Sequence, residues 1–108
     1  MMKERHYNKL VRDNIPDIIK KGGSIPVTRV LGKDEYMACL HRKLQEEVAE
    51  YLKDNNLEEL CDILEVLEAI ATVMEFSENE IEEVKEKKAE KNGAFKEKIF
   101  LEKVIVEG

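Results

Sequence analysis

The stretch EEVAEYLKDNNLEELCD, residues 46–62, places a polar turn, Asp54-Asn55-Asn56, between two segments with helical periodicity. In residues 36–52 the apolar side chains form one stripe along a helix, and in residues 57–74 they form a broader arc. A short turn between two such helices makes them antiparallel neighbours. The stretch therefore predicts a tight αα-hairpin, with the acidic ends of both helices facing each other.

Some carboxylates of this hairpin fall at positions where apolar side chains are expected. At roughly 100° per residue, Glu47 lies in the middle of the first stripe and Glu50 at its edge. On the second helix, Glu59 lies inside the apolar arc and Asp62 borders it. A buried, ionised carboxylate is unfavourable unless it is paired or binds a metal. Two facing pairs at i and i+3 predict one site for a hard cation, Mg²⁺ first and Mn²⁺ as a substitute.

An ordinary solvated surface is the alternative interpretation, because Glu-rich helices are common. Most acidic residues of the chain fit it, including Glu58, Glu65 and Glu68 on the opposite side of the second hairpin helix. The two cysteines, Cys39 and Cys61, are expected to be reduced core thiols, since neither is part of a metal-binding pattern.

The rest of the chain predicts two more helices. The first begins near Asp13, with Pro16 in its first turn, and ends at a pair of glycines. Ser77 with Glu80 three residues later predicts a capping box for a helix over residues 78–91. The two hairpin helices are expected to begin after a cap at Asp34 and at Leu57, and to end near Lys53 and at Glu75.

Residues 25–31 and 98–106 are rich in β-branched side chains and predict short extended or β segments that could pair with each other. No linker divides the chain, so residues 1–108 are expected to form one domain. The predicted fold class is all-α, a four-helix bundle with these two short segments. The apolar arc of the third helix covers about half its circumference, which favours a homodimer or homotetramer over the alternative, a compact monomer.

Composition restricts the function classes. Charged residues make up 39% and apolar residues 43% of the chain, typical of a soluble, helix-rich protein. The net charge of -6 disfavours nonspecific binding to nucleic acid or to an anionic membrane. No apolar run is long enough for a membrane span and the first residues are unlike a signal peptide, so a cytoplasmic location is expected.

The acidic motifs resemble those of a known family. Glu46-Glu47-x-x-Glu50 followed by Glu59-x-x-Asp62 is similar to the signature of the MazG-like all-α nucleoside triphosphate pyrophosphohydrolases, with Cys61 where a glycine is familiar. YNKLVRDNIP, residues 7–16, resembles the opening of their small, stand-alone phosphoribosyl-ATP pyrophosphohydrolase-like branch, and KAEKNGAF, residues 88–95, resembles their K-x-x-x-R-G-G-F block. Asn92 and Ala94 depart from that block.

The resemblance implies a four-helix MazG-like bundle, a small-molecule nucleotide substrate and hydrolysis between its α and β phosphates. It implies four Mg²⁺ ligands, Glu47, Glu50, Glu59 and Asp62, with Glu46 as a candidate to orient or deprotonate water. The implied phosphate contacts are Lys88, Lys91, Lys9 and Arg12.

Two other functions stay open at this point. One is phosphoribosyl-ATP hydrolysis, because nothing in the sequence discriminates the base of the nucleotide. The other is a catalytically weak helical module that binds a nucleotide or a partner, which the Asn92 departure favours and the four carboxylates oppose.

Overall fold

The computed structural model describes residues 2–108 and contains four helices. They are α1 (Ile15–Lys21), α2 (Lys33–Asp54), α3 (Leu57–Val73) and α4 (Glu78–Asn92). No strand forms in this part of the chain, so the all-α class is confirmed. The chain divides into two compact units, the first ending at Glu75 and the second comprising Phe76–Gly108. That the whole chain is one domain stays a prediction.

The α2–α3 hairpin is formed as expected, and two asparagines define its turn. Asn55 adopts the left-handed conformation (φ 51°, ψ 40°), and its N–H donates to the carbonyl of Tyr51 at 2.7 Å. Asparagine tolerates this region better than most residues. Asn56 then caps α3, because its side-chain oxygen accepts the N–H of Glu59 at 2.9 Å. The first turn of α3 therefore begins immediately beside the last turns of α2.

Three helix ends differ from the sequence-based boundaries. Helix α1 begins at Ile15 after Asn14, not near Asp13. Gly32, not Asp34, is the N-cap of α2, and Asp34 lies in the first turn, where a negative charge interacts favourably with the helix dipole. Helix α3 ends at Val73 rather than Glu75.

The predicted start of α4 is confirmed. Ser77 accepts the Glu80 N–H, and the Glu80 carboxylate accepts the Ser77 N–H, each at 3.1 Å. This capping box satisfies two N–H groups that the helix itself leaves unpaired. Every residue of α4 is exposed.

The two β-rich segments form no strands, which corrects the pairing expected between them. Residues 25–31 and 98–106 have no regular secondary structure, and Val27 and Val30 are 96% and 99% exposed. A β-branched sequence favours an extended backbone, but a strand also needs a neighbour for its N–H and C=O groups.

The hydrophobic core is small. Leu40 of α2, 2% exposed, is the one buried apolar residue among residues 2–108. Cys39 is half-buried, whereas Cys61 is exposed, so the expectation that both are core thiols is wrong for Cys61. None of the helices in the described residues has the length and apolar character needed to cross a membrane.

Candidate metal centre

Carboxylates from α2 and α3 meet at the end of the hairpin. Oxygen atoms of Glu47, Glu59 and Asp62, all half-buried, lie within 4.8 Å of one another. Oxygen atoms of Glu50, Asp54 and Glu59 form a second group whose members also lie within 4.8 Å of one another. Glu59 belongs to both groups. We call these five residues the carboxylate cluster.

Helical spacing explains why the cluster forms. Glu50 and Asp54 follow Glu47 on α2 by three and seven residues, which places all three along one face of the helix. Glu59 and Asp62 are three apart in the first turns of α3. Because the hairpin turn joins these ends directly, the two acidic faces become neighbours. Three of the four predicted metal ligands, Glu47, Glu59 and Asp62, therefore share one oxygen group, and the fourth, Glu50, shares the second group with Glu59.

Asp54 is a member of the cluster that sequence reasoning missed, because its place in the Asp54-Asn55-Asn56 sequence suggested a turn residue only. It is in fact the last residue of α2. Its position seven residues after Glu47, two helical turns along the same face, was the signal that could have identified it.

Glu59 lies among four other carboxylates of the cluster. Its partial burial raises the pKa of its carboxyl above the ordinary value, and the nearby Asp62, Glu50, Asp54 and Glu47 raise it further. Both causes penalise the ionised form. Within residues 2–108, Glu50, Asp54 and Glu59 form no salt bridge with a basic side chain.

Lys43 neutralises part of the negative charge that α2 contributes to the cluster. Its ammonium nitrogen lies 3.3 Å from a carboxylate oxygen of Glu47, one helical turn away, and 3.9 Å from one of Glu46. The Glu47 side chain is only 13% exposed and that of Lys43 is 23% exposed, so this ion pair is partly shielded from water. Glu46 itself is exposed to solvent.

Arg12, a predicted phosphate contact, binds the α3 side of the cluster in this structure. Its Nη2 donates to Oδ1 of Asp62 at 2.6 Å, and its Nη1 donates to Glu65. These bonds, the one to Glu65 first, raise the pKa of the Arg12 guanidinium. Glu65 is exposed, as expected for a solvated face, and Arg12 supplies it with a cation from the segment that precedes α1.

The remaining basic candidates belong to both units. Lys9 lines a small surface cavity of the first unit together with Lys43 and Glu46, and its ammonium group lies 5.7 Å from the Tyr7 ring centroid. Lys88 and Lys91 are exposed on α4, in the second unit. Phosphate binding by these lysines stays a prediction.

The chemistry of the cluster fits a hard divalent cation. Oxygen atoms of Glu47, Glu59 and Asp62 lie within 4.8 Å of one another, close enough for side-chain rotation to bring them to a single ion. Neither a histidine nor a cysteine belongs to these oxygen groups, which disfavours zinc.

Comparison with known proteins gives one informative match. An uncharacterized protein of Mycolicibacterium smegmatis is 57% identical to this chain over 42 residues, which are 39% of this chain and 43% of that protein. The chain therefore spans less than half of this relative. No protein-family model matches the chain, and no solved structure does.

Proposed function

We propose that this chain is a cytoplasmic, Mg²⁺-dependent nucleoside triphosphate pyrophosphohydrolase of the MazG-like type. It would cleave surplus or non-standard nucleotides between the α and β phosphates, giving a nucleoside monophosphate and pyrophosphate. The observation that carries the proposal is the convergence of Glu47, Glu59 and Asp62 from two antiparallel helices. Such all-oxygen sites hold Mg²⁺ together with substrate phosphates.

The roles of the side chains follow from their positions. Glu47, Glu50, Glu59 and Asp62 would hold the ion, which would offset the charge on the phosphoryl oxygens. Glu46 is exposed beside Glu47, so it is accessible to a water molecule that it would orient or deprotonate.

The basic side chains of the first unit are stronger candidates for phosphate contacts than those of the second unit. Lys9 shares a surface cavity with Glu46, which supports a contact with the same substrate. Lys88 and Lys91 are exposed and form no salt bridge among residues 2–108, and they stay candidates for contacts with the pyrophosphate leaving group.

Self-association is part of the proposal. Leu60, Leu64 and Leu67 of α3 are 42%, 54% and 44% exposed, although they belong to the most apolar helix of the chain. A second copy covering this face would remove apolar surface from water. Light scattering coupled to size exclusion should therefore show a dimer or tetramer, whereas a monomer at micromolar concentration would contradict this part.

The activity is tested with a panel of nucleoside triphosphates in Mg²⁺ or Mn²⁺, with pyrophosphatase added and phosphate detected by malachite green. We expect pyrophosphatase-dependent phosphate release that Glu59→Gln abolishes. Glu58→Gln is the matched control, because Glu58 is the exposed neighbour of Glu59 in the same first turn of α3. Equal loss in both variants, or no turnover of any nucleotide by the wild-type protein, would contradict the proposal.

A further inference from the structure

Arg12 lies at the boundary of the carboxylate cluster, and it belongs to none of the four helices. It precedes α1, and its carbonyl accepts the N–H of Ile15 at 3.1 Å in the turn that leads into that helix. Its side chain crosses to α3, 50 residues away in sequence, to reach Asp62. This is the longest-range charged contact of the site, together with the Arg12–Glu65 pair.

The two carboxylates that Arg12 binds differ in position. Asp62 belongs to the cluster, with an oxygen within 4.8 Å of oxygens of Glu47 and Glu59. Glu65 is one turn further along α3 and belongs to neither oxygen group. The guanidinium therefore has one partner inside the cluster and one outside it.

We propose that Arg12 is a built-in counter-ion that competes with the divalent cation for Asp62 and that Glu65 retains it when the cation binds. This inference concerns regulation of the same site and rests on the proposed function. Without a cation, the guanidinium offsets the mutual repulsion of the carboxylates at their α3 edge. When the cation takes the lone pairs of Asp62, the Arg12–Asp62 bond opens and the Arg12–Glu65 bond remains.

Competition follows from the geometry and the charges. Oδ1 of Asp62 accepts a charge-assisted bond of 2.6 Å, and an oxygen engaged in this way is a poorer metal ligand. A positive charge beside the site also repels an incoming divalent ion. Once this bond is open, Nη2 would be free to donate to a phosphate oxygen. Metal and phosphate are thus expected to favour each other's binding through Arg12.

The test measures Mg²⁺ binding by calorimetry at neutral pH, without nucleotide. We expect Arg12→Gln to bind Mg²⁺ about fivefold more tightly than the wild type, which corresponds to the loss of one competing exposed ion pair. The double variant Arg12→Gln/Glu65→Gln has the same net charge as the wild type, and competition predicts that it too binds more tightly. Arg29→Gln is the matched control, because Arg29 forms an equivalent pair with Glu35 at the other end of α2.

A second variant keeps the test decisive if Arg12→Gln fails to fold. Glu65→Gln leaves Arg12 with Asp62 alone, so Mg²⁺ should bind more weakly than in the wild type. With inorganic pyrophosphate as the anion probe, Mg²⁺ should increase its affinity for the wild type more than for Arg12→Gln.

The outcomes separate this inference from the proposed function. Unchanged or weaker Mg²⁺ binding in Arg12→Gln, with wild-type binding intact, overturns the counter-ion role and leaves the proposed function standing. Tighter binding in both Arg12 variants without hydrolysis of any nucleotide supports the counter-ion role and contradicts the proposed function. Absence of Mg²⁺ binding in every variant overturns both.

Discussion

Glu47 near the end of α2 and Glu59 in the first turn of α3 hold carboxylate oxygens within 4.8 Å of each other across the hairpin turn. Lys43 offsets the charge of Glu47 from 3.3 Å, whereas Glu59 has no basic partner among residues 2–108. The α2–α3 hairpin therefore brings these carboxylates together although they repel one another, and the repulsion acts mainly on Glu59. A carboxylate kept in such a position by the fold is expected to lower stability when no cation is bound.

The first prediction concerns Glu59 and pH. Its pKa is raised above 4.5, so the folded protein holds this proton more tightly than the unfolded chain. Protonated Glu59 therefore stabilises the folded state below pH 4.5, and this stabilisation is lost as pH rises through the raised pKa. Glu59→Gln should therefore melt at a higher temperature than the wild type at neutral pH in EDTA. This gain should shrink as the pH falls towards 4.5, where Glu59 of the wild type takes up its own proton.

The matched control for this series is again Glu58→Gln. Glu58 is exposed and interacts favourably with the N-terminal end of the α3 dipole, so its replacement should give a small loss of stability at neutral pH. A lower melting temperature for Glu59→Gln at neutral pH would mean that the ionised carboxylate is a structural partner.

The second prediction separates two carboxylates of the cluster that sequence alone treats alike. Glu50 has no basic partner among the described residues, so Glu50→Gln should leave the melting temperature unchanged or raise it in EDTA. Asp62→Asn removes a charged partner of Arg12 and should cost less than about 1 kcal/mol. Both should abolish hydrolysis. Denaturant melts of the two variants measure this, and a large loss in Glu50→Gln would contradict the assignment of Glu50.

The third prediction concerns metal and stability. Mg²⁺ binds the folded cluster and not the unfolded chain, so it should stabilise by about 2.7 kcal/mol at a hundredfold excess over Kd. The effect should shrink near pH 5, because protons compete for the same oxygens. Ca²⁺ should also stabilise but support little turnover, because it accepts looser geometry. Melts in Mg²⁺, Ca²⁺ and EDTA test this, with Glu47→Gln expected to lose most of the shift.

The fourth prediction concerns the turn that positions Glu59. Asn56→Ala removes the acceptor for the Glu59 N–H and should cost about 1 kcal/mol. It should also weaken Mg²⁺ binding, because the first turn of α3 carries Glu59. Asn56→Ser keeps a capping oxygen and should restore most of both properties. Equal behaviour of the two variants would show that the cap does not position the site.

The local features of the fold could be predicted from the sequence. Helical periodicity, the polar Asp54-Asn55-Asn56 sequence and the Ser77–Glu80 spacing depend on neighbours within one or two turns, and each produced the expected element. The half-buried position of Glu59 was likewise readable from its azimuth among apolar residues. Such signals are local and survive in any tertiary arrangement.

The parts that were missed depend on contacts between distant residues. The Arg12–Asp62 and Arg12–Glu65 pairs join residues that are 50 and 53 positions apart in the sequence. No periodic pattern predicts such contacts. The pairing of residues 25–31 with 98–106 was expected from β propensity, but propensity does not supply a partner strand. The exposure of Cys61 depends on which side of α3 is covered, which the sequence of one helix does not define.

The most direct measurement is anomalous scattering from a crystal grown with Mn²⁺ and a non-hydrolysable nucleoside triphosphate analogue. We expect an anomalous peak bonded to Glu59 and to at least two other members of the carboxylate cluster, with the triphosphate beside it and Arg12 turned from Asp62 towards Glu65. A cluster without a peak, with the triphosphate bound elsewhere on the molecule, would contradict the central claim that these carboxylates form the catalytic metal site.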